Sequence, residues 1–169
     1  MVDAGILSED DRVELIRGEI LIMSPVGPPH EGAILRSSNG LFPIVGDRAI
    51  LGVRGAIRLD DWDEPQPDIL LLRPRVDFYT KAHPGPSDTF LIIEIADSSL
   101  DYDRTVKASL YGETGVPEYW VADITTDCVW AYSDIQERHY QVVRQFRRDE
   151  SIVPQLLAGC AIPLDILLP

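Results

Sequence analysis

The sequence predicts a single α/β domain with a β-hairpin added at each end, and three observations carry that prediction. Residues 68–73 and 89–95 are near-continuous apolar runs of strand length, the pattern of strands covered on both faces. Segments with helical spacing flank them, at residues 30–41 and 103–113. No internal repeat or linker divides the 169 residues, and 45% hydrophobic with 25% charged residues is enough for one core without staples.

Taken in order, Val13–Ile16 and Glu19–Ile22 are short apolar runs around Arg17-Gly18, which predicts a tight hairpin. Residues 24–29 form a proline- and glycine-rich connection. A helix is expected to begin near Pro29, placing Ile34, Leu35 and Leu41 at helical spacing, while Asn39-Gly40 leaves its end open. Residues 48–59 alternate: Ala49, Leu51, Val53, Ile57 and Leu59 share one face, and Arg48, Arg54 and Arg58 share the other, as in a strand with one apolar and one basic side. Residues 60–67 are an acidic, proline-bearing loop before the buried strand that Asp68 opens. After a longer loop at residues 75–88, the second buried strand carries one carboxylate, Glu94, inside an Ile-Ile-Glu-Ile run. Ser98 to Asp101 supply capping residues for a helix that Gly115 and Pro117 stop. Residues 118–123 are the next strand, and 128–132 with 138–146 form a further antiparallel pair. The apolar tail, 156–168, is expected to pack back on the body. The middle of the chain therefore reads helix, strand, strand, strand, helix, strand.

Composition excludes several classes. No apolar run approaches the roughly 20 residues that span a bilayer. Met1 to Gly5 is too acidic and too weakly apolar for a secretory leader. A cytoplasmic protein with no membrane contact is the expectation. Cys128 and Cys160 lack CxxC spacing, and with three dispersed histidines they do not make a zinc site. A net charge of −13 argues against strong nonspecific binding to a polyanion, which is driven by basic side chains that release counterions. A bound divalent cation would offset part of that charge locally.

If a hairpin joins residues 68–73 to 89–95, Arg73 faces about Phe90 and Asp68 faces about Glu94. Two carboxylates then meet at one end of an apolar sheet, where they repel unless one is protonated or a cation lies between them. Mg2+ suits that arrangement, because it binds through one or two carboxylates and keeps several waters. Asp68 alone reads equally as the cap of the preceding loop. Glu94 does not, since a glutamate in such a run is seldom buried unpaired. Asp103, Lys107 and Tyr111, at i, i+4 and i+8, share one helix face, which either turns toward the carboxylates or stays solvated.

Pro67-Asp68, with Glu94 after a hydrophobic strand, resembles the PD-(D/E)xK nuclease signature, and the element order resembles that superfamily's restriction-endonuclease-like core. More closely, Val13-Glu14-Leu15-Ile16-Arg17-Gly18-Glu19-Ile20, Met23-Ser24-Pro25, His30, Pro67-Asp68, Ile93-Glu94-Ile95, Lys107, Tyr111 and Gly115-Val116-Pro117-Glu118-Tyr119-Trp120 are together similar to the Uma-type putative restriction endonuclease family, over nearly the whole chain. The resemblance implies metal-assisted hydrolysis of DNA phosphodiesters. Asp68, Glu94 and the backbone carbonyl of Ile95 would hold Mg2+ or Mn2+, Lys107 would orient the attacking water or stabilise charge, and Arg54 and Arg58 would contact backbone phosphates. The superfamily's lysine two residues after the glutamate is Ala96 here, so Lys107 is expected to stand in for it.

His30 either approaches the site from the first helix or serves that helix's start. Glu14 is expected in an ion pair or hydrogen bond under the sheet. Trp120 and Tyr119 are expected in the core. A homodimer fits the chemistry, because cutting both strands takes two sites and free strand edges invite pairing. Family members usually carry a further segment before residues 4–7, so a late start is expected. The acidic charge and Ala96 keep a second reading open, a catalytically degenerate nuclease-fold domain that binds a protein partner.

Overall fold

The six strands of the central sheet are β3 (Ile50–Val53), β4 (Ile69–Leu72), β5 (Thr89–Ala96), β6 (Tyr119–Asp123), β7 (Cys128–Gln136) and β8 (His139–Arg147), side by side in that order. The computed structural model describes residues 12–23 and 25–168; the late-start expectation on residues 4–7 and Ser24 of the predicted connection lie outside them. Every neighbouring pair of strands is antiparallel except β5 and β6, which run parallel. A parallel step needs a crossover. Here it is helix α2, an α-helical turn Leu100–Tyr102 leading through a π-helical stretch Asp103–Lys107 into Ala108–Thr114.

Successive strand residues face opposite sides. Ile69, Leu71, Leu91, Ile93 and Trp120 therefore pack with Ala33, Ile34, Leu41 and Val45 of α1 (Pro28–Val45). Leu70, Leu72, Ile92, Tyr119 and Val121 pack on the other side with Ala108, Leu110 and Tyr111 of α2. Both faces are covered, which explains why residues 68–73 and 89–95 are apolar throughout.

The N-terminal hairpin of β1 (Val13–Ile16) and β2 (Glu19–Ile22) turns at Arg17 and Gly18, with φ of 52° and 78°, as a two-residue hairpin turn requires. It is fixed to the body by bonds from Leu15 to Glu64 and from Gly18 to Trp62. The C-terminal residues Leu157, Ile162, Leu164, Leu167 and Leu168 pack back into the α1 side of the core.

Three elements differ from the sequence reading. The strand expected over residues 48–59 is only β3, because Arg54 takes a left-handed φ of 52° and breaks the alternation. Beyond it Ile57 and Leu59 join the α2 side of the core, whereas Ala49 and Leu51 pack on the α1 side and Val53 is exposed. Helix α1 runs on through Asn39-Gly40 to Val45; a Cβ at Gly40 would sit 2.9 Å from Ile166 Cβ, so this glycine permits a close approach instead of ending the helix. Finally, β9 (Ser151–Ile152) and β10 (Ile162–Pro163) form a small ladder that two-residue segments give no pattern to predict. Among the described residues no helix is long and apolar enough to cross a membrane.

Candidate active site

β4 and β5 pair Ile69 with Ile93 and Leu70 with Ile92, and one further step along the same register sets Asp68 against Glu94. At the other end the register slips between Leu71 and Leu72, so the Arg73 N–H donates to the Asp88 carbonyl at 2.7 Å while its guanidinium lies 4.8 Å from the Phe90 ring.

The two carboxylates are locked by donors. Asp68 Oδ2 accepts the Ile95 N–H at 2.9 Å, and Oδ1 lies 3.1 Å from His30 Nε2. The Asp68 N–H donates to Glu94 Oε2 at 3.2 Å. Glu94 Oε1 accepts from Lys107 Nζ at 2.8 Å and from the Tyr111 hydroxyl at 3.2 Å. Lys107 Nζ also donates to Glu14 Oε1 at 3.3 Å, and that oxygen takes the Gln66 N–H at 2.8 Å. Five residues from α1, β1, β5, α2 and the entry to β4 thus form one polar chain, His30–Asp68–Glu94–Lys107–Glu14, in which the Asp68–Glu94 link runs through the Asp68 backbone N–H. They line a cleft of ≈ 370 Å3 with Arg12, Arg54, Ile95, Tyr102 and Asp103.

The helix supplies its share through the π-helical stretch. In a regular α-helix a residue eight positions on is rotated by about 80°. The wider π turn between Asp103 and Lys107 takes up this drift, and Asp103, Lys107 and Tyr111 all turn inward, 3%, 7% and 0% exposed. Ala96, two residues after Glu94 and so on its face, packs with Ala108 and Tyr111 and leaves the space beside Glu94 to Lys107.

The electrostatics are lopsided. Glu14, Asp68, Glu94 and Asp103 are all buried, against one buried ammonium. Burial, reinforced by Asp68, Asp103 and Glu14, raises the Glu94 carboxyl to about 8 although Lys107 opposes it. Burial likewise raises Asp103 to about 6, against Lys107 and a hydrogen bond from Ser99. For Lys107 burial favours losing the proton, but Glu94, Glu14 and Asp103 outweigh it and raise its pKa. Such an excess of buried carboxylate is a donor set for a divalent cation. Among the described residues no group of three or more His, Cys, Asp or Glu side chains is arranged to hold a metal ion. An ion held here would meet two carboxylates and would need water and backbone oxygen to complete its shell.

Of the other residues singled out in the sequence, Arg54 lines the cleft, its guanidinium 2.6 Å from Glu31 and its N–H bonded to the Asp68 carbonyl. Arg58 does not join them; it is exposed and pairs with Asp61 at 2.9 Å. Its separation follows from the reversal at Arg54, since the two arginines share a face only if the strand continues. Sequence reasoning expected Glu14 in an ion pair or hydrogen bond, and it makes both, to Lys107 and Gln66; it gave Tyr111 and Asp103 no defined role, and it missed Gln66, Arg12 and Tyr102. The Tyr102 hydroxyl is buried without a hydrogen-bond partner among the described residues. The spacing of Asp103, Lys107 and Tyr111 was a usable signal; nothing local marks Glu14, whose partners are 52 and 93 residues away.

The comparisons with known proteins agree with this architecture. The model of the Uma2 family, described as "Putative restriction endonuclease", matches residues 4–165. Among solved structures, "a putative nuclease belonging to DUF820" from Anabaena variabilis superposes with a TM-score of 0.74 at 16% identity, covering 98% of this chain and 94% of that one. Among curated protein sequences none matches significantly.

Proposed function

Because the chain belongs to the Uma2 family of restriction-endonuclease-like proteins, we propose that it hydrolyses DNA phosphodiester bonds as an endonuclease with Mg2+ or Mn2+. The observation that carries this reading is the Asp68–Glu94 pair joined to Lys107 in a single cleft. Asp68, Glu94 and the backbone carbonyl of Ile95 are the residues that would hold the ion. Bound there, it supplies Lewis acidity for the phosphate and lowers the pKa of a coordinated water.

The chain's own groups divide the remaining work. Lys107 is a fixed cation and not a base, because its carboxylate neighbours keep it protonated; it stabilises negative charge that builds on the phosphate. His30 holds Asp68 from the α1 side, and the Ile95 N–H holds its other oxygen, so the carboxylate has one orientation. Arg54 contacts a backbone phosphate by exchanging its pairing with the half-exposed Glu31. Arg58 has no part in this scheme. With a net charge of −13, affinity for DNA rests on these few contacts and on the ion, so binding without a divalent cation is weak.

The test is cleavage of supercoiled, linear and single-stranded DNA with Mg2+ or Mn2+, alongside Asp68→Asn and Glu94→Gln. Cutting that requires the metal and falls by about 100-fold or more in both variants is the expected result. The net charge and Ala96 favour the second reading, a degenerate domain that binds a protein. No cutting of any substrate, with no metal-induced rise in Tm, would sink the nuclease in its favour.

A further inference from the structure

Glu14 stands outside the paired-carboxylate signature, yet its contacts are those of the site. It lies on β1, in a hairpin that is not part of the central sheet, and it is 7% exposed. Its Oε1 joins two elements of the site. It accepts the N–H of Gln66, two residues before Asp68, and it receives the Lys107 ammonium from α2. Gln66 returns the contact, its side-chain amide donating to the Val13 carbonyl at 3.1 Å. Lys107 is thereby clamped between carboxylates on two different sheets, Glu94 at 2.8 Å and Glu14 at 3.3 Å.

Resting on the nuclease reading, we infer that Glu14 is a positioning residue: it fixes the Lys107 ammonium at the cleft and so performs what strand geometry performs when lysine follows glutamate by two residues. A lysine at position 96 would share a strand face with Glu94 and need no second anchor. A lysine on a helix reaches Glu94 through four flexible methylene bonds, and one ion pair does not choose among its rotamers. A second carboxylate, carried by a different backbone, removes that freedom. Stability alone does not account for the arrangement, because a buried charge cluster replaced by apolar side chains of similar volume is often as stable.

The experiment exploits a property of the sequence: Lys81 and Lys107 are the only lysines, and Lys81 is exposed while Lys107 is buried. A 15N-ammonium spectrum of the whole protein therefore contains one protected side-chain signal, that of Lys107. In Glu14→Gln, which keeps the volume and a carbonyl acceptor for Gln66, the signal is expected to lose its protection from hydrogen exchange by about tenfold or more while Tm stays close to the parent's. Glu14→Asp, shorter but charged, is expected to recover part of the protection. In cleavage assays Glu14→Gln is expected to lower kcat about 10- to 100-fold with KM little changed. In a Lys107→Met background the same substitution is expected to have no further effect, since both act through one ammonium. Unchanged protection in Glu14→Gln overturns the inference, and so does an effect on kcat that adds fully to that of Lys107→Met. A parent protein that cuts no DNA counts against the nuclease reading alone, and the exchange measurement still decides whether Glu14 fixes Lys107.

Discussion

A buried hydroxyl with no partner is a local cost, and Tyr102 carries one, among the described residues, beside four buried carboxylates. Leaving such a group unsatisfied costs about 1–3 kcal/mol, more than the hydroxyl's removal takes from packing. Tyr102→Phe is therefore expected to keep or raise Tm in the metal-free protein, measured by thermal unfolding; a fall of several degrees would mean that the hydroxyl is bonded after all. The same scale shows what a sequence can disclose about a site. Glu94 was legible because a carboxylate inside an otherwise apolar strand violates the local pattern, and a violation demands a partner. Asp68 became legible only through the register that ties it to Glu94. Glu14, Asp103 and Tyr102 violate nothing locally: each sits in an ordinary amphipathic or polar stretch, and its significance arises from contacts made through the folded chain. Arg54 and Arg58 failed to stay together for a related reason. Alternation predicts a shared face, and only the left-handed backbone at Arg54 reveals that the strand stops there.

At the scale of elements, the fold was legible wherever hydrophobic period and length agreed, as in β4, β5, β6 and the hairpin around Arg17-Gly18. It was least legible where one residue changes a helix's phase. The π-helical stretch Asp103–Lys107 has no sequence signature, yet it governs which side chains meet Glu94. Thr105 is exposed and lies in the middle of this stretch. Deleting it returns the stretch to α-helical phase with Asp103 and Tyr111 seven positions apart, still within about 20° of one face. The deletion variant is expected to retain the parent's helical circular dichroism and a cooperative unfolding transition. Asp103 and Tyr111 stay turned to the cleft, so the metal-induced rise in Tm is expected to persist and the cleavage activity to fall by less than about tenfold. Loss of both in a folded deletion variant would show that the widened turn itself sets the position of Lys107. The end of α1 gives the converse lesson. Asn39-Gly40 has the composition of a helix stop, but Gly40 is retained within the helix for its fit to Ile166, a contact 126 residues away in sequence that no local rule anticipates.

At the scale of the whole molecule, the cleft links proton binding to stability, and the sign follows from the two raised carboxyls. Glu94 is lifted from its ordinary value of 4.5 to about 8, and Asp103 from 3.8 to about 6, in both cases chiefly by burial. Between the unfolded and folded values the folded chain holds protons that the unfolded chain has released. Their contribution to stability is complete below the unfolded pKa and is lost as pH rises through the folded one. Half-buried carboxylates such as Asp77 and Glu113 run the other way, since hydrogen bonds from Arg75 and Arg17 lower them and their contribution disappears only on acidification. These pairs are screened by solvent and act mainly at acid pH, below the window set by the cleft. The metal-free protein is therefore expected to lose Tm as pH is raised from about 5 to about 8. A divalent cation competes with the same protons, so its apparent affinity rises over that interval. Saturating Mg2+ is expected to raise Tm more at the alkaline end than at the acid end and so flatten the profile. In Asp68→Asn the slope contributed by Asp103 persists and the response to Mg2+ does not. A metal-free Tm that stays level or climbs across this range would mean that the buried carboxyls are not raised, and that Lys107 alone balances the charge of the cleft.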